Sequence, residues 1–293
     1  MSCHSSKQRQ RLPDWLKRDI VDSDKTRLVR KLLKEYNLNT VCDAARCPNK
    51  PECYAKNTAT FMILGNSCTR QCRFCAVEHD SKPVFDVREA ESVAEAVKLL
   101  NLRYVVLTSV TRDDLNDGGA SHFADVVSRI KDIDNKIIVE VLVPDFLGNF
   151  KSVDIVVNSG IDVFNHNIET IKQNYDKARP QAVYQRSLDI INYAKNSKPK
   201  LFTKSGFMIG LGESYDQIEV LLSDLSSHNC DIVTIGQYIQ PTKASLMVDR
   251  YYTEAEFEDL TKMARQFSFK RVVAGPLVRS SYKAFETYDE LLV

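Results

Sequence analysis

The stretch Cys68-Thr69-Arg70-Gln71-Cys72-Arg73-Phe74-Cys75 places three cysteines within eight residues, separated by gaps of three and two residues. A second triplet, Cys42, Cys47 and Cys53, lies upstream with gaps of four and five residues. Thiolate sulfur is a soft ligand that suits zinc or iron–sulfur clusters. The two triplets therefore predict two metal-cluster sites held close together in space.

The metal at each triplet is open between zinc and an iron–sulfur cluster. Structural zinc sites are normally closed by four ligands, and each triplet supplies only three cysteines. His79 is a candidate fourth ligand for zinc. Three cysteines also suit a cubane cluster in which one iron lacks a cysteine and is left to coordinate a substrate or cofactor.

The composition is that of a globular protein of 293 residues, for which we expect a full buried core. A formal net charge of +1 gives no field that would attract nucleic acid or an anionic membrane, and neither is an expected partner. No apolar run approaches the ~20 residues of a membrane-spanning helix, and residues 1–10 lack the apolar centre of a signal peptide. We therefore expect the cytoplasm.

Cysteines in the cytoplasm stay reduced, so the eight cysteines favour metal binding over disulfides. Two of them stand apart from the triplets. We interpret Cys3 as a thiol in a polar tail and Cys230 as a small buried apolar residue.

A regular alternation of short apolar runs and amphipathic stretches begins at Phe61. Strands are predicted at residues 61–65, 104–110, 136–144, 162–168, 201–209 and 232–239. Helices are predicted at residues 86–100, 120–133, 146–159, 183–195, 215–228 and 253–267. Six β-then-α units imply a parallel sheet with right-handed crossovers. Because a closed barrel needs eight units, we predict an α/β fold built as an open, partial (β/α)6 TIM-like barrel.

The barrel is expected to occupy residues 61–268, between two extensions. Residues 1–60 form an N-terminal extension with the first cysteine triplet and a predicted helix at 24–36, and residues 269–293 form a C-terminal extension with an apolar run at 272–274. Chemistry in such barrels gathers at the C-terminal ends of the strands. The loop at 68–75 follows the first strand and is therefore expected at that mouth.

The spacing of the cysteines at 68–75, with Phe74 before the last, resembles the radical S-adenosylmethionine (SAM) superfamily. Two further motifs resemble the lipoyl synthase family: Cys42-Asp43-Ala44-Ala45-Arg46-Cys47 followed by Glu52-Cys53, and Arg279-Ser280-Ser281-Tyr282-Lys283-Ala284. The resemblance runs from about Leu12 to Ala284, which is nearly the whole chain.

The resemblance implies two [4Fe–4S] clusters. The SAM-binding cluster would be held by Cys68, Cys72 and Cys75. The auxiliary cluster would be held by Cys42, Cys47, Cys53 and a serine that maps best to Ser281, with Ser280 the less favoured choice. A radical derived from SAM would remove hydrogen from C6 and then C8 of an octanoyl chain on a carrier-protein lysine. The auxiliary cluster would donate both sulfur atoms and be consumed.

The same resemblance implies several partners. The substrates would be octanoylated lipoyl carrier domains, such as the E2 subunits of 2-oxoacid dehydrogenases and the H protein of glycine cleavage. An electron donor such as flavodoxin or ferredoxin and an iron–sulfur cluster carrier would also be required. Tyr54 stands where the family commonly has Trp, and residues 243–247 lack its usual His and Pro, so carrier recognition is where this chain would differ.

Polar residues at the ends of the other predicted strands are candidates to bind SAM. They are Thr108, Ser109, Asn165, Asn167, Glu169, Arg179, Gly210 and Gln240. Arg179 presents a planar fork suited to the methionine carboxylate, with a surface ion pair as the alternative. Gly210 belongs to a glycine-containing segment that lets the backbone approach adenine, or is a plain strand-to-helix turn. The pair Asp113-Asp114 is expected to cap a helix, since hydrogen abstraction needs no general base.

Two other kinds of protein are alternatives to this family. A methylthiotransferase acting on RNA has two clusters, but it carries an added RNA-binding domain and usually a basic surface, which this chain lacks. A non-catalytic zinc or iron–sulfur interaction protein would not need strand ends that carry SAM-like motifs. The sequence therefore favours a sulfur-inserting enzyme.

Overall fold

The computed structural model describes residues 11–17, 23–55 and 60–291. Its strands are β1 (Asn39–Thr40), β2 (Thr60–Ile63), β3 (Ser67–Cys68), β4 (Glu78–His79), β5 (Tyr104–Ser109), β6 (Ile138–Leu142), β7 (Val163–Asn165), β8 (Phe202–Ile209), β9 (Ile232–Gln237) and β10 (Arg271–Gly275). Its α-helices are α1 (Asp24–Glu35), α2 (Val41–Ala44), α3 (Lys50–Ala55), α4 (Glu89–Leu99), α5 (Ala120–Ile133), α6 (Phe150–Val157), α7 (Tyr175–Ala178), α8 (Tyr184–Ser197), α9 (Tyr215–Ser227), α10 (Glu254–Ala264) and α11 (Ala284–Asp289). Short 3-10 helices cover Asp14–Leu16, Phe146–Gly148 and Lys172–Asn174.

One sheet of eight strands organises the molecule, in the order β1-β2-β5-β6-β7-β8-β9-β10. All neighbours from β2 to β10 are parallel, whereas β1 is antiparallel to β2. Within the described residues β1 and β10 do not pair, so the sheet is an open, partial barrel as predicted. Strands β3 and β4 form a separate parallel pair beside it.

All six predicted strands are present, and the apolar run at 272–274 adds a seventh parallel strand, β10, next to β9. Strands β1 and β10 belong to the two extensions and join the same sheet, so the division at residues 60 and 268 stays a prediction. The first strand ends earlier than predicted, at Ile63, because Leu64 and Gly65 take left-handed backbone with φ of 67° and 96°. That turn sends the chain directly into the cysteine loop.

The predicted helix at 146–159 is wrong at its start. Phe146 and Leu147 have φ of 46° and 52°, which no α-helix accommodates, and Gly148 follows at 81°. The helix begins only at Phe150, where the Asn149 side chain accepts a hydrogen bond from the backbone N–H of Lys151. Helices α9 and α10 begin with complete capping boxes.

The core lies between the sheet and the helices that cover its outer face. Phe123, Val127 and Ile130 of α5 are completely buried, as helical spacing predicts for the inner face. Cys230 is also buried, as expected, whereas Cys3 lies outside the described residues. No helix in the described part of the chain is long and apolar enough to cross a membrane.

A polar network fills the inside of the barrel. The Lys204 ammonium lies 2.9 and 3.0 Å from the two carboxylate oxygens of Glu140, and both side chains are at most 2% exposed. Glu140 also accepts hydrogen bonds from the Tyr104 hydroxyl at 2.6 Å and the Asn165 amide at 2.8 Å. A buried ion pair persists only when its remaining hydrogen-bonding capacity is satisfied, and these donors do so.

The C-terminal segment after β10 passes against the barrel interior and ends in α11. The Val278 carbonyl oxygen lies 2.2 Å from where a Cβ on Gly236 would be, so only glycine allows this approach. Phe285 and Tyr288 then pack against Tyr104 and Phe202, near the N-terminal starts of β5 and β8, with ring centroids 5.7 to 6.1 Å apart. Helix α11 thus covers the edge of the sheet opposite the expected active mouth.

Candidate active site

A cavity of about 450 Å³ lies at the C-terminal edge of the sheet. Both cysteine triplets and the C-terminal motif contribute to its wall. The contributing residues are Cys42, Cys47, Cys68, Cys72, Cys75, Arg279, Ser280 and Ser281. Segments separated by more than two hundred residues therefore meet at one site, which fulfils the expectation that the two triplets lie close together.

Backbone N–H groups surround the sulfur atoms of the loop at 68–75. The Cys68 Sγ accepts from the N–H of Arg70 at 3.4 Å and of Thr111 at 3.3 Å, and the Cys75 Sγ accepts from Val77 at 3.4 Å. Such donors stabilise a thiolate, which is the form that binds iron. Burial raises the pKa of Cys75 to about 11, so without metal this side chain is a neutral thiol.

The cysteine loop is anchored by Arg70, whose guanidinium is buried. It donates to both carboxylate oxygens of Asp113, at 2.6 and 2.9 Å, and to Asp145 at 2.6 Å. Arg112 likewise makes a bidentate contact with Asp114, donating at 2.8 Å to each of its carboxylate oxygens. The prediction that Asp113 and Asp114 cap a helix is therefore wrong, because both carboxylates bind arginines that fix loops at the strand ends.

Phe74 has a packing role in this loop. It packs with Met208, Leu211 and Tyr238 in a small apolar cluster beside the cavity. The aromatic residue before the last cysteine thus fastens the loop to the ends of β8 and β9, which follow it far along the chain.

The candidate SAM residues Asn167, Glu169 and Arg179 lie together on the cavity wall. One terminal nitrogen of Arg179 donates to the carbonyls of Asn167 at 3.1 Å and Ile168 at 3.4 Å, which orients the guanidinium. Burial raises the pKa of Glu169, against the lowering effects of the Arg179 charge and a hydrogen bond with Asn167. A buried cation and a carboxylate thus face the same space.

Three buried polar atoms of the candidate residues have no hydrogen-bond partner within the described structure: Ser109 Oγ, Asn165 Oδ1 and Arg179 Nε. Unpaired buried polar groups are costly, and a cluster of them marks a place for a polar ligand. Ser109 and Arg179 line the cavity. The residues present therefore fit a ligand that carries a carboxylate and hydrogen-bonding groups, as SAM does.

The remaining candidates occupy different positions. Thr108 and Gln240 line the cavity, but the hydroxyl of Thr108 donates to the Leu142 carbonyl at 3.0 Å. Asn165 lies one layer deeper, and its amide donates to Glu140 and to Ser280 Oγ at 2.8 Å. Gly210 lies outside the cavity wall, and a Cβ there would sit 2.2 Å from the Gln237 amide nitrogen. Its small size serves the packing of β8 against β9.

The two adjacent serines contact different partners. Ser280 Oγ donates to Asn167 Oδ1 at 2.9 Å and accepts from Asn165, which places it on the side of the SAM candidates. Ser281 Oγ accepts from Thr60 Oγ1 at 2.9 Å. The backbone of Thr60 also hydrogen-bonds Cys42. Ser281 is therefore joined through one residue to the first cysteine triplet.

Other residues of the first triplet surround this position. Cys42 and Cys47 line the main cavity, whereas Cys53 lines a second cavity that also contains Ser281. Burial raises the pKa of Cys42 to about 11. Burial lowers the pKa of Arg279, and the neighbouring Cys47 opposes that effect.

His166 and Tyr238 line the cavity but were not among the site candidates from the sequence, and Arg279, which also lines it, was named only as part of the C-terminal motif. The His166 ring nitrogens lie 2.8 Å from the Val143 carbonyl oxygen and 3.0 Å from Ser187 Oγ, and burial lowers its pKa to about 4. It is therefore neutral at pH 7. Its place among the polar residues that follow β7 was the one signal that could have found it.

Comparison with known proteins gives the family of this chain. Residues 62–225 match the model of the radical SAM superfamily, and residues 2–47 match that of the N-terminal domain of lipoyl synthase. The lipoyl synthase of Chlorobaculum tepidum is 49% identical over 282 residues, which cover 95% of this chain and 97% of that protein. The chain belongs to the lipoyl synthase family.

The lipoyl synthase of Desulfotalea psychrophila is 47% identical to this chain over 287 residues. The aligned residues cover 97% of this chain and 96% of that protein. Among solved structures, a methylornithine synthase aligns with a TM-score of 0.55 at 14% identity, covering 86% of this chain and 72% of its own. That likeness concerns the fold alone and agrees with the open barrel.

Lipoyl synthases are radical SAM enzymes, so the cofactors of this chain are SAM and [4Fe–4S] clusters. Family membership makes the zinc interpretation and the two rival functions wrong. The candidate zinc ligand His79 instead has its Nδ1 3.0 Å from the carbonyl oxygen of Cys68. Across residues 11–17, 23–55 and 60–291, no three His, Cys, Asp or Glu side chains are arranged to hold a single metal ion.

Proposed function

We propose that this lipoyl synthase inserts two sulfur atoms, at C6 and C8, into octanoyl groups bound to lysines of carrier proteins. The observation that carries the proposal is the single cavity lined by cysteines of both triplets and by Ser281. When bound, SAM with its cluster supplies a 5′-deoxyadenosyl radical, and the auxiliary cluster supplies sulfur. A carbon held in this cavity would be within reach of both.

The cluster ligands are assigned from the resemblance of the cysteine and serine motifs to those of lipoyl synthases, and the contacts of Ser281 support one of them. We assign Cys68, Cys72 and Cys75 to the SAM-binding cluster. We assign Cys42, Cys47, Cys53 and Ser281 to the auxiliary cluster. The hydrogen bond from Thr60 to Ser281 supports this serine, since Ser280 is already engaged by two asparagines. A serine oxygen is a harder, weaker partner for iron than thiolate, which suits a cluster that must be opened.

The SAM contacts are assigned from the unpaired polar atoms. The free Nε–H of Arg179 would donate to the methionine carboxylate, and Ser109 Oγ would bind the amino group. Asn167 and Glu169 would complete the polar wall. Gly210 is not retained as a direct contact, because it lies behind the cavity wall.

Part of the cavity wall is apolar and suits an octanoyl chain. It includes Met62, Val110, Leu142, Val143 and Met208. Apolar side chains bind a hydrocarbon through the hydrophobic effect and exclude water from the reacting carbons. These residues also lack the polar hydrogens that would misdirect the substrate chain.

The partners are proposed at the level of their chemistry. The enzyme acts on octanoylated carrier proteins, and we propose the E2 subunits of 2-oxoacid dehydrogenases and the H protein of glycine cleavage as its substrates. Flavodoxin or ferredoxin is the proposed electron donor, and an iron–sulfur carrier protein would rebuild the auxiliary cluster. We propose the cytoplasm as the compartment, because the cluster cysteines must stay reduced.

The test is an anaerobic incubation of the enzyme with SAM, dithionite and a peptide that carries octanoyl-lysine. Mass spectrometry should detect a product with two added sulfur atoms. Cys68→Ala should abolish formation of 5′-deoxyadenosine. Cys47→Ala should still form it but release no sulfur-containing product. Sulfur insertion by the Cys47→Ala variant would show that the auxiliary site is not the donor.

A further inference from the structure

A second cavity, of about 380 Å³, reaches the auxiliary site from the opposite edge of the sheet. Its wall includes Cys53, Ser281, Tyr282 and residues 100–103 of the turn that precedes β5. The main cavity lies at the other end of β5, beside Thr108 and Ser109. The two cavities are therefore entered from different faces of the molecule.

The auxiliary ligands are divided between the two cavities. Cys42 and Cys47 line only the main cavity, Cys53 lines only the second, and Ser281 lines both. Ser281 thus forms part of the wall between them. A cluster held by all four residues would face SAM on one side and the second cavity on the other.

One hydrogen bond joins the two segments that bring Cys53 and Ser281 to the second cavity. The Tyr282 hydroxyl lies 3.2 and 3.3 Å from the carboxylate oxygens of Glu52, and each residue is adjacent to one of the two ligands. Both residues line the second cavity. Separation of this pair would widen the approach to Cys53 without disturbing the contacts of Arg179 or Ser109.

We propose that the second cavity is the route by which iron and sulfide ions enter and leave the auxiliary site. The proposal rests on the function proposed above, in which that site gives up sulfur and must be rebuilt. A separate route would allow rebuilding while SAM or product occupies the main cavity. Two ferrous ions, two ferric ions and four sulfides make up the [4Fe–4S]2+ cubane that any rebuilding, by a carrier protein or from free ions, must deliver. Cys53 is the first auxiliary ligand that they would meet on this route.

The experiment isolates the auxiliary site by combining Cys68→Ala, Cys72→Ala and Cys75→Ala in the full chain. Anaerobic addition of sulfide with equal amounts of ferrous and ferric iron is followed by visible absorbance and by iron and sulfide content, neither of which depends on catalytic activity. The rim of the second cavity is narrowed by Arg103→Trp or, separately, by Glu286→Trp, both at exposed positions. Ile239→Trp narrows the main cavity as the matched control. Circular dichroism verifies that each variant is folded.

The two rim variants should slow iron uptake severalfold, and Ile239→Trp should leave its rate unchanged. Equal rates in all variants, or slowing by Ile239→Trp alone, would overturn the route while leaving the proposed function intact. A background variant that takes up no iron at all would overturn both, because no auxiliary site would then exist.

The Glu52 to Tyr282 hydrogen bond gives an independent readout. In the loaded background variant, Tyr282→Phe should speed loss of iron to a bathophenanthroline chelator by about fivefold, the factor that corresponds to a net hydrogen bond of ~1 kcal/mol. Tyr193→Phe is the control, because it removes a comparable hydroxyl that donates to Asp154 at 3.0 Å, and neither residue lines either cavity. Equal loss from both variants contradicts the proposed route.

Discussion

Arg70→Met tests whether the buried arginine fixes the cysteine loop. The side chain of Arg70 is 3% exposed, and that of Asp145, which it contacts at 2.6 Å, is completely buried. Burial by itself raises the pKa of the Asp145 carboxyl, but the hydrogen bonds and charge of Arg70 outweigh burial and lower that pKa to about 2. The substitution removes these donors and leaves the carboxylate buried.

The magnitude follows from the pKa of Asp145. Lowering it from 3.8 to about 2 corresponds to about 2 kcal/mol of stability at pH 7. Loss of one partner from a buried ion pair costs about 3–5 kcal/mol. Arg186 still contacts Asp145 at 3.2 Å, and the N–H of Leu147 donates at 3.1 Å. We therefore expect Arg70→Met to lower the free energy of unfolding by about 3 kcal/mol.

The pH dependence has a definite sign. In the unsubstituted protein the contribution of Asp145 is fully present above its unfolded pKa of 3.8 and is lost as the pH falls toward about 2. In Arg70→Met, burial raises the pKa of the Asp145 carboxyl. The destabilisation caused by the unpaired carboxylate therefore becomes smaller as Asp145 takes up a proton. The stability difference between the two proteins should therefore narrow from pH 7 to pH 4.

Urea unfolding of the apoproteins, followed by circular dichroism between pH 7 and pH 4, measures this difference without a contribution from metal binding. Arg129→Met is the matched control, because Arg129 is 40% exposed and its contacts with Asp125 and Glu91 should contribute less than about 1 kcal/mol. The reasoning is refuted if Arg70→Met costs no more than Arg129→Met, or if its cost is the same across the pH range.

Three further outcomes are expected. Ser281→Ala should stop sulfur insertion while 5′-deoxyadenosine still forms. Ser280→Ala loses only hydrogen bonds worth about 1–2 kcal/mol and should retain insertion. Chromatography of 5′-deoxyadenosine and of the lipoyl product distinguishes the two variants. Lys204→Met should destabilise the fold by about 3–5 kcal/mol by leaving Glu140 buried without its cation, and Glu140→Gln in the same chain should restore part of the loss in urea unfolding. Anaerobically purified protein should contain about eight iron and eight sulfide per chain by colorimetric assay, as two cubanes require, and a colourless zinc protein would contradict the cluster assignments.

Much of the fold was predictable because buried parallel strands have short, apolar sequences. The six strands between 61 and 239 are all present, although β7 is reduced to Val163–Asn165. The predicted element boundaries were wrong where a residue other than glycine adopts left-handed backbone, as at Leu64 and Phe146. The side chains of these residues do not indicate such a conformation. The run at 272–274 gave no indication of its pairing with β9, since a lone apolar run does not reveal its neighbour.

The candidate site was predictable where ligand chemistry shows in local spacing, as it does for both cysteine triplets. It was not predictable where the partner lies far along the chain. Nothing in the sequence joins Arg70 to Asp145, which lies 75 residues away, or indicates that Asp113 would bind an arginine. The role of Gly210 stays open in sequence for a different reason, because a glycine at a strand end serves packing and ligand approach equally well.

In the proposed ligand assignment, the C-terminal segment joins the two cluster sites. Ser280 is bound to Asn165 and Asn167 on the SAM side, and its neighbour Ser281 is bound to Thr60 on the auxiliary side. Consecutive residues have Cα atoms about 3.8 Å apart, so this one peptide unit limits how far the two sides can separate. The close approach at Gly236 and the docking of α11 hold the segment at both ends. Under the proposed function, a carbon that loses hydrogen on one side would thereby be kept within reach of the sulfur donor on the other.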